Sequence, residues 1–356
     1  MRIHPVILAG GRGERFWPLS RRSRPKQLLP LLSDRPMIAD SIARLDGIAS
    51  TQDFWVITAR DLLEAVRAAV PRIPREHVVG EPMGKNTAPA VALAAWWLRK
   101  AGPDSVVAIL PSDHRIEPAA RFREELSAAA AAALERKAIV TLGIPPTRPD
   151  TGYGYIEVGK AVAPGSPLHE VSAFREKPDA ATAAKYVADK KHLWNAGMFL
   201  FRPDVMLEEI GAHAPDLAAQ VAAVPDPSDR GVDAALDRFY AAAASISIDY
   251  AVMERTRHAL VARASFEWDD LGSWATLARP GSEDENGNVA RGDVLLHDSS
   301  GVIAFSDGGL VAGVGLRDLI IVRTGDVTLV CPRDRAQDVR ALVDRLKKKS
   351  DGNAPL

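Results

Sequence analysis

Short runs of core-type residues alternate along the first part of the chain with segments whose apolar positions recur every three or four residues. Strands are expected at 5–9, 54–58, 77–79, 106–110 and 138–142. Helices are expected near 36–48, 62–69, 88–100 and 121–136. Strand–helix alternation of this kind predicts an α/β fold, a mainly parallel, doubly wound sheet covered by helices. Ligands of such sheets bind at the carboxyl ends of the strands. Residues 150–280 show no simple period and are expected to form an irregular, substrate-binding insertion. The polar, turn-rich stretch RPGSEDENGN at 279–288 predicts a boundary between a domain at 1–280 and one at 281–356. The second domain carries short β-like runs, VARGDVLLHDSS, GVIAFSDGG, DLIIVRTGD and VTLVCP, and then an amphipathic helix at 335–347.

Composition narrows the function classes. A length of 356 residues suits two domains. Lysine plus arginine is 45 and aspartate plus glutamate is 46, so a general nucleic-acid binder is not expected. The basic cluster at 12–26 must then answer a local anion. The single cysteine, Cys331, excludes an intrachain disulfide and a multi-cysteine zinc site. The apolar run before the first glycines is too short for a signal peptide or a membrane span, so a cytoplasmic protein with no membrane partner is expected.

The opening motif is LAGGRGERFWPLSRRSRPKQ. Gly10, Gly11 and Gly13 follow a strand and leave backbone N–H groups open to phosphate oxygens. Arg15 and Lys26 would add charge to a polyphosphate. The loop alone is equally compatible with a glycine turn beside a solvated basic face. It lacks the third glycine of a dinucleotide fingerprint and the Gly-Lys-Ser/Thr of a Walker A loop. Asp113 follows the apolar strand of LPSDH, and Asp270 lies in WDDLGSW. Two carboxylates completed by phosphate oxygens and water suit Mg2+. Each aspartate alone also reads as a turn residue, and Asp269 is an equal candidate on chemistry. Glu81 ends a strand, where a carboxylate would accept from the N1–H and amino group of guanine and disfavour adenine. A solvated strand-end glutamate is the plainer reading. No serine–histidine or cysteine–histidine set suggests a covalent nucleophile.

The segments LAGGRGERFWPLSRRSRPKQ, EPMGKNTAPA, LPSDH, TGYGYIE, FREKP, WNAGMF, SIDYAVME and WDDLGSW run in order through residues 8–274. Together they resemble the mannose-1-phosphate guanylyltransferases, or GDP-mannose pyrophosphorylases, of the sugar nucleotidyltransferase superfamily. The resemblance implies a Rossmann-like nucleotidyltransferase domain followed by a small left-handed β-helix. It implies guanylyl transfer from GTP to mannose 1-phosphate with Mg2+. It also implies roles for residues: Ala9, Gly10, Gly11, Gly13, Glu81, Lys85, Asn86 and Thr87 on the nucleotide, with Arg15 and Lys26 on its phosphates. Asp113 and Asp270 would hold the metal. Gly154, Glu176, Lys177, Asn195 and Asp249 would face the sugar phosphate. A homodimer is expected, with the C-terminal strands as a packing or dimerisation module. The segment after the boundary is too short for the isomerase domain that some relatives carry, so a single activity is expected. The same transfer on another hexose 1-phosphate, or a non-catalytic sugar-nucleotide-binding regulator, stays open.

Overall fold

The computed structural model describes residues 1–278 and 283–349; of the boundary stretch, 279–282 lie outside the described residues. The chain folds as two compact units. The first comprises Met1–Gly10, Ile42–Ser112 and Ile116–Trp268, and the second Gly11–Ser41, Asp113–Arg115 and the chain from Asp269 onward.

The first unit is built on a nine-stranded sheet. Its strands are β1 (Arg2–Ala9), β2 (Trp55–Ala59), β3 (Val78–Glu81), β4 (Ser105–Pro111), β5 (Ile139–Ile144), β6 (Tyr155–Ala161), β7 (Leu168–Arg175), β8 (His192–Phe201) and β9 (Ala259–Arg263). The order is β3-β2-β1-β4-β8-β5-β9-β7-β6, with β8 also pairing to β6. β1 to β4 pair in parallel, as do β5 and β9. Their near-continuous apolar runs are those of strands buried on both faces, as in VVAIL of β4. β8 runs antiparallel between β4 and β5, placing Leu200 beside both Ala108 and Val140.

Parallel pairing brings the carboxyl ends of β1, β3 and β4 to one edge. The register Ala9↔Thr58, Ala59↔Glu81 and Leu8↔Pro111 fixes that edge. The helix Ala119–Arg136 packs on β4, β5 and β8 through Phe122, Leu126, Ala129, Ala130 and Ala133, a single helical stripe.

Three expectations change. The region 150–280 is not an irregular insertion, because β8 and β9 are integral to the main sheet. The helix expected at 36–48 is confined to Met37–Ala43, and Gly47 at φ 90° belongs to the turn after it. The third strand starts at Val78, with His77 in the preceding 3-10 turn.

The second unit is β-rich. Val289–Arg291, Ile303–Ser306 and Leu319–Arg323 stack in parallel, and Thr328–Pro332 closes that sheet antiparallel. Val294–His297 and Val311–Val314 form a second parallel pair. The register Val289↔Ile303↔Ile320 lines up buried residues of successive coils, the stacking of a β-helix-like fold. The segment Gly11–Ser41 shares this core. Trp274 is fully buried, its Nε1 donates to the Trp17 carbonyl at 3.1 Å, and its ring lies 5.1 Å from Phe16. Arg291 donates to the Leu31 carbonyl at 2.5 Å.

Candidate functional site

In the second unit, the loop after β1 tightens into a 3-10 turn at Glu14–Phe16, and a second turn at Lys26–Leu28 is wholly buried. Burying an ammonium is costly unless it is paired. Lys26 is 5% exposed, and its Nζ donates to Asp113 Oδ2 at 2.8 Å and to the Asp270 carbonyl at 2.5 Å. Burial pushes the Asp113 carboxyl up, but the charges of Lys26 and His114 outweigh it and hold the group below the usual range. A cavity of about 430 Å³ opens here, lined among others by Arg12, Arg15, Lys26, Asp113, Asp270 and Arg340. Arg15 has no hydrogen-bond or ion-pair partner among the described residues. The two neighbouring aspartates divide their work. Asp270 lines the cavity, whereas Asp269 accepts from the Leu271 N–H at 2.6 Å and ties down the loop.

The glycines differ in what they do. Gly13 sits at φ 61°, and a Cβ there would lie 2.2 Å from Lys26 Cβ. It is therefore a packing glycine that lets Lys26 pass. Gly11 is exposed, with nothing within 4 Å of a built Cβ. Gly10, in the first unit, would bring a Cβ to 3.2 Å from Glu81 Oε2.

Glu81 stands at the edge where β1 also ends, and Thr58 Oγ1 fixes that end by donating to the Ala9 carbonyl at 3.0 Å. Burial pushes Glu81 up to about 7, opposed by the Tyr240 hydroxyl. Its Oε1 is buried without a hydrogen-bond partner among the described residues. Asn86 adopts φ 65°, ψ −164°, a region that strains any residue but glycine, and its side chain caps the helix Thr87–Leu98 by accepting from Thr87 N at 2.9 Å. Thr87 Oγ1 in turn accepts from Ile248 N at 2.9 Å. Lys85 is half-buried beside them.

The remaining candidates form one cluster in the first unit. Asn195 on β8 donates through Nδ2 to Asp249 Oδ1 at 2.8 Å, and its N–H donates to the Gly154 carbonyl at 2.8 Å. A Cβ on Gly154 would lie 2.3 Å from Glu176 Oε2, a buried oxygen without a partner among the described residues. Lys177, at φ 48°, pairs with Glu176 Oε1 at 2.5 Å. Burial lowers the affinity of Lys177 for its proton, but Glu176 and Asp249 more than reverse this and its pKa is raised. Asp249 opens a short π-helical turn; burial, then the Glu176 charge, pushes it up to about 6. The cluster thus presents an exposed ammonium and one unsatisfied carboxylate oxygen, Glu176 Oε2, groups that bind a phosphate and a hydroxyl.

Residues not singled out from the sequence also contribute. Arg12 lies within the opening motif, but Arg340 comes from the terminal helix and carries no signal in the sequence. Glu254 holds the Glu176 N–H at 3.2 Å.

A model described as "Nucleotidyl transferase" matches residues 4–286. A second, "MannoseP isomerase/GMP-like beta-helix domain", matches residues 292–346. The mannose-1-phosphate guanylyltransferase of Escherichia coli K12 is 38% identical over 356 residues, covering 97% of this chain and 74% of the relative. This chain belongs to the mannose-1-phosphate guanylyltransferase family of nucleotidyl transferases. Another family relative, the alginate biosynthesis protein AlgA of Pseudomonas aeruginosa, is 40% identical, with 96% of this chain and 72% of that protein covered. A crystal structure from Thermus thermophilus, described as a mannose-1-phosphate geranyltransferase, matches with a TM-score of 0.88 at 35% identity, over 98% of this chain and 100% of that one. The family match agrees with the resemblance read from the motifs. No helix among the described residues is long and apolar enough to cross a membrane.

Proposed function

We propose that this protein transfers a guanylyl group from GTP to mannose 1-phosphate, releasing pyrophosphate and GDP-mannose. The observation that carries the reading is the Lys26–Asp113 pair in a cavity that also holds Arg15, which has no partner among the described residues. That is a polyphosphate grip. The named relatives support guanine and mannose as the partners.

In the proposed step a sugar-phosphate oxygen forms a bond to the α-phosphorus of GTP. The bond from that phosphorus to the bridging oxygen of pyrophosphate breaks, in line with the attack. The attacking phosphate is already ionised near neutral pH, so no general base is required. Arg15 and Lys26 stabilise the charge that builds on the departing pyrophosphate. Lys177 offsets the charge of the incoming sugar phosphate, and Glu176, Asn195 and Asp249 orient its hydroxyls. Glu81, whose Oε1 has no partner among the described residues, accepts from the guanine edge, and Gly10 and Gly11 leave room for the nucleotide.

The donor set fits a hard divalent cation. Asp113 and Asp270 supply carboxylate oxygens to one cavity, and among the described residues no group of three or more His, Cys, Asp or Glu forms a complete cage. Mg2+, which keeps few protein ligands and completes its shell with phosphate and water, would be held by these two aspartates. When bound it neutralises phosphate charge. The same reading takes 1–280 as the catalytic part and 281–356 as the β-helix-like part of a cytoplasmic homodimer. The exposed Leu295, Val314 and Val330 of the C-terminal strands support pairing with a second copy.

The test is mass-spectrometric detection of GDP-mannose after incubation with GTP, mannose 1-phosphate and Mg2+, with a chelator control. Formation of GDP-mannose that the chelator abolishes is expected. Guanylyl transfer only to a different hexose 1-phosphate would remove mannose from the assignment.

A further inference from the structure

Arg340 lies in the first turn of the terminal helix Val339–Lys349, within the C-terminal part of the second unit. It lines the same cavity as Arg12, Arg15, Lys26, Asp113 and Asp270. Three observations single it out. First, its placement is fixed by the helix. Val339 and Val343 are each 3% exposed in the apolar core, and Lys347, two turns after Arg340 on one face, pairs with Glu14 at 2.5 Å. Second, Arg340 has no hydrogen-bond or ion-pair partner among the described residues. It shares this with Arg15, whereas Lys26 and Glu14 are already paired. Third, a cation in the first turn stands at the positive end of the helix dipole, and no acidic residue of that turn compensates it. An anion in the cavity would relieve the second and third of these conditions.

We infer that Arg340 is a phosphate-binding residue of the nucleotide site, gripping the β- and γ-phosphates together with Arg15. The inference rests on the guanylyltransferase reading for the identity of the ligand. A guanidinium presents paired N–H donors that match two phosphate oxygens. Lys26 and Arg340 approach the cavity from opposite ends of the chain, so the C-terminal β-rich part contributes to substrate binding and is more than a packing module. In the transfer step Arg340 receives no proton and forms no bond. It holds the pyrophosphate oxygens as the bond to the α-phosphorus breaks.

The experiment is calorimetric titration of the full-length protein with inorganic pyrophosphate and with GTP, each with Mg2+, followed by steady-state kinetics. Arg340→Ala is expected to weaken both ligands tenfold or more, to raise the KM for GTP and to leave the KM for mannose 1-phosphate within twofold. Arg340→Lys should recover part of the loss, since the charge stays and the paired donors go. Arg335→Ala, on the preceding turn and paired with Asp338 at 2.7 Å, serves as a surface control and should bind like the parent. Pyrophosphate and GTP affinities unchanged within twofold in Arg340→Ala would overturn the inference. So would a parent protein that binds neither ligand. Because binding is read without turnover, a parent that binds pyrophosphate but transfers nothing to any sugar phosphate would defeat the reaction and still test Arg340.

Discussion

The ammonium of Lys26 lies 2.8 Å from Asp113 Oδ2, with 6% of the lysine side chain and 34% of the aspartate side chain exposed. One member is thus buried and the other reaches toward solvent. Lys26→Ala should lower turnover by about 10³, the order seen when a preorganised electrostatic partner is removed. The stability loss should be only about 1–3 kcal/mol, because the remaining carboxylate reaches water. Steady-state kinetics beside urea unfolding checks both. A turnover loss under tenfold in a folded variant would remove Lys26 from the phosphate grip.

Gly13 and Gly11 should respond differently to the same substitution. Gly13→Ala places a Cβ 2.2 Å from Lys26 Cβ at a φ of 61°, so it should destabilise the fold and disturb the lysine. Gly11→Ala meets no protein atom within 4 Å and should fold normally. A raised KM for GTP in Gly11→Ala, with an unchanged melting temperature, is the expected sign that a ligand passes there. Equal effects of the two changes on melting would contradict this division.

Glu81 should link pH to both stability and nucleotide binding. Its folded pKa is pushed up to about 7 from 4.5, so the folded state holds the proton more tightly than the unfolded chain. This stabilising contribution is complete below about 4.5 and is lost as pH rises to about 7. Glu81→Gln removes that loss, so relative to the parent it should gain about 3 kcal/mol of stability between pH 4 and pH 8. Guanine reading needs the ionised form. The KM for GTP should therefore fall as pH rises through 7 in the parent and stay flat in Glu81→Gln. Parallel pH profiles in the two proteins would sink the assignment.

Gly154→Ala crowds Glu176 Oε2 to 2.3 Å and should shift the whole sugar-phosphate cluster. Its expected signature is a KM for mannose 1-phosphate raised tenfold or more with the KM for GTP little changed. Lys177→Ala should give the same split with a smaller effect on folding, since the ammonium is largely exposed. A rise in the GTP KM instead would place this cluster on the nucleotide.

Much of this is legible from residue order. The runs that form β1, β2, β4 and β5 are apolar enough to be buried on both faces, and their limits can be read within a few residues. β8 escapes such a reading because WNAGMFLF looks like a functional motif, yet its inner residues also close the sheet between β4 and β5. At the site, charge and motif order point to Lys26, Asp113 and Asp270. What no pattern reveals depends on tertiary contact. Gly13 is required by a side chain from another turn, Asn86 is held in a strained conformation by a helix cap, and Arg340 looks in sequence like any solvated cation of an amphipathic helix.

The measurement that tests the central claim most directly is Mg2+-dependent pyrophosphate release, with GTP, ATP, UTP and dTTP each offered mannose 1-phosphate or glucose 1-phosphate. The account predicts strong release with GTP and mannose 1-phosphate and little with any other pair. Equal release with ATP, or none with any pair from folded protein that binds GTP, would contradict it.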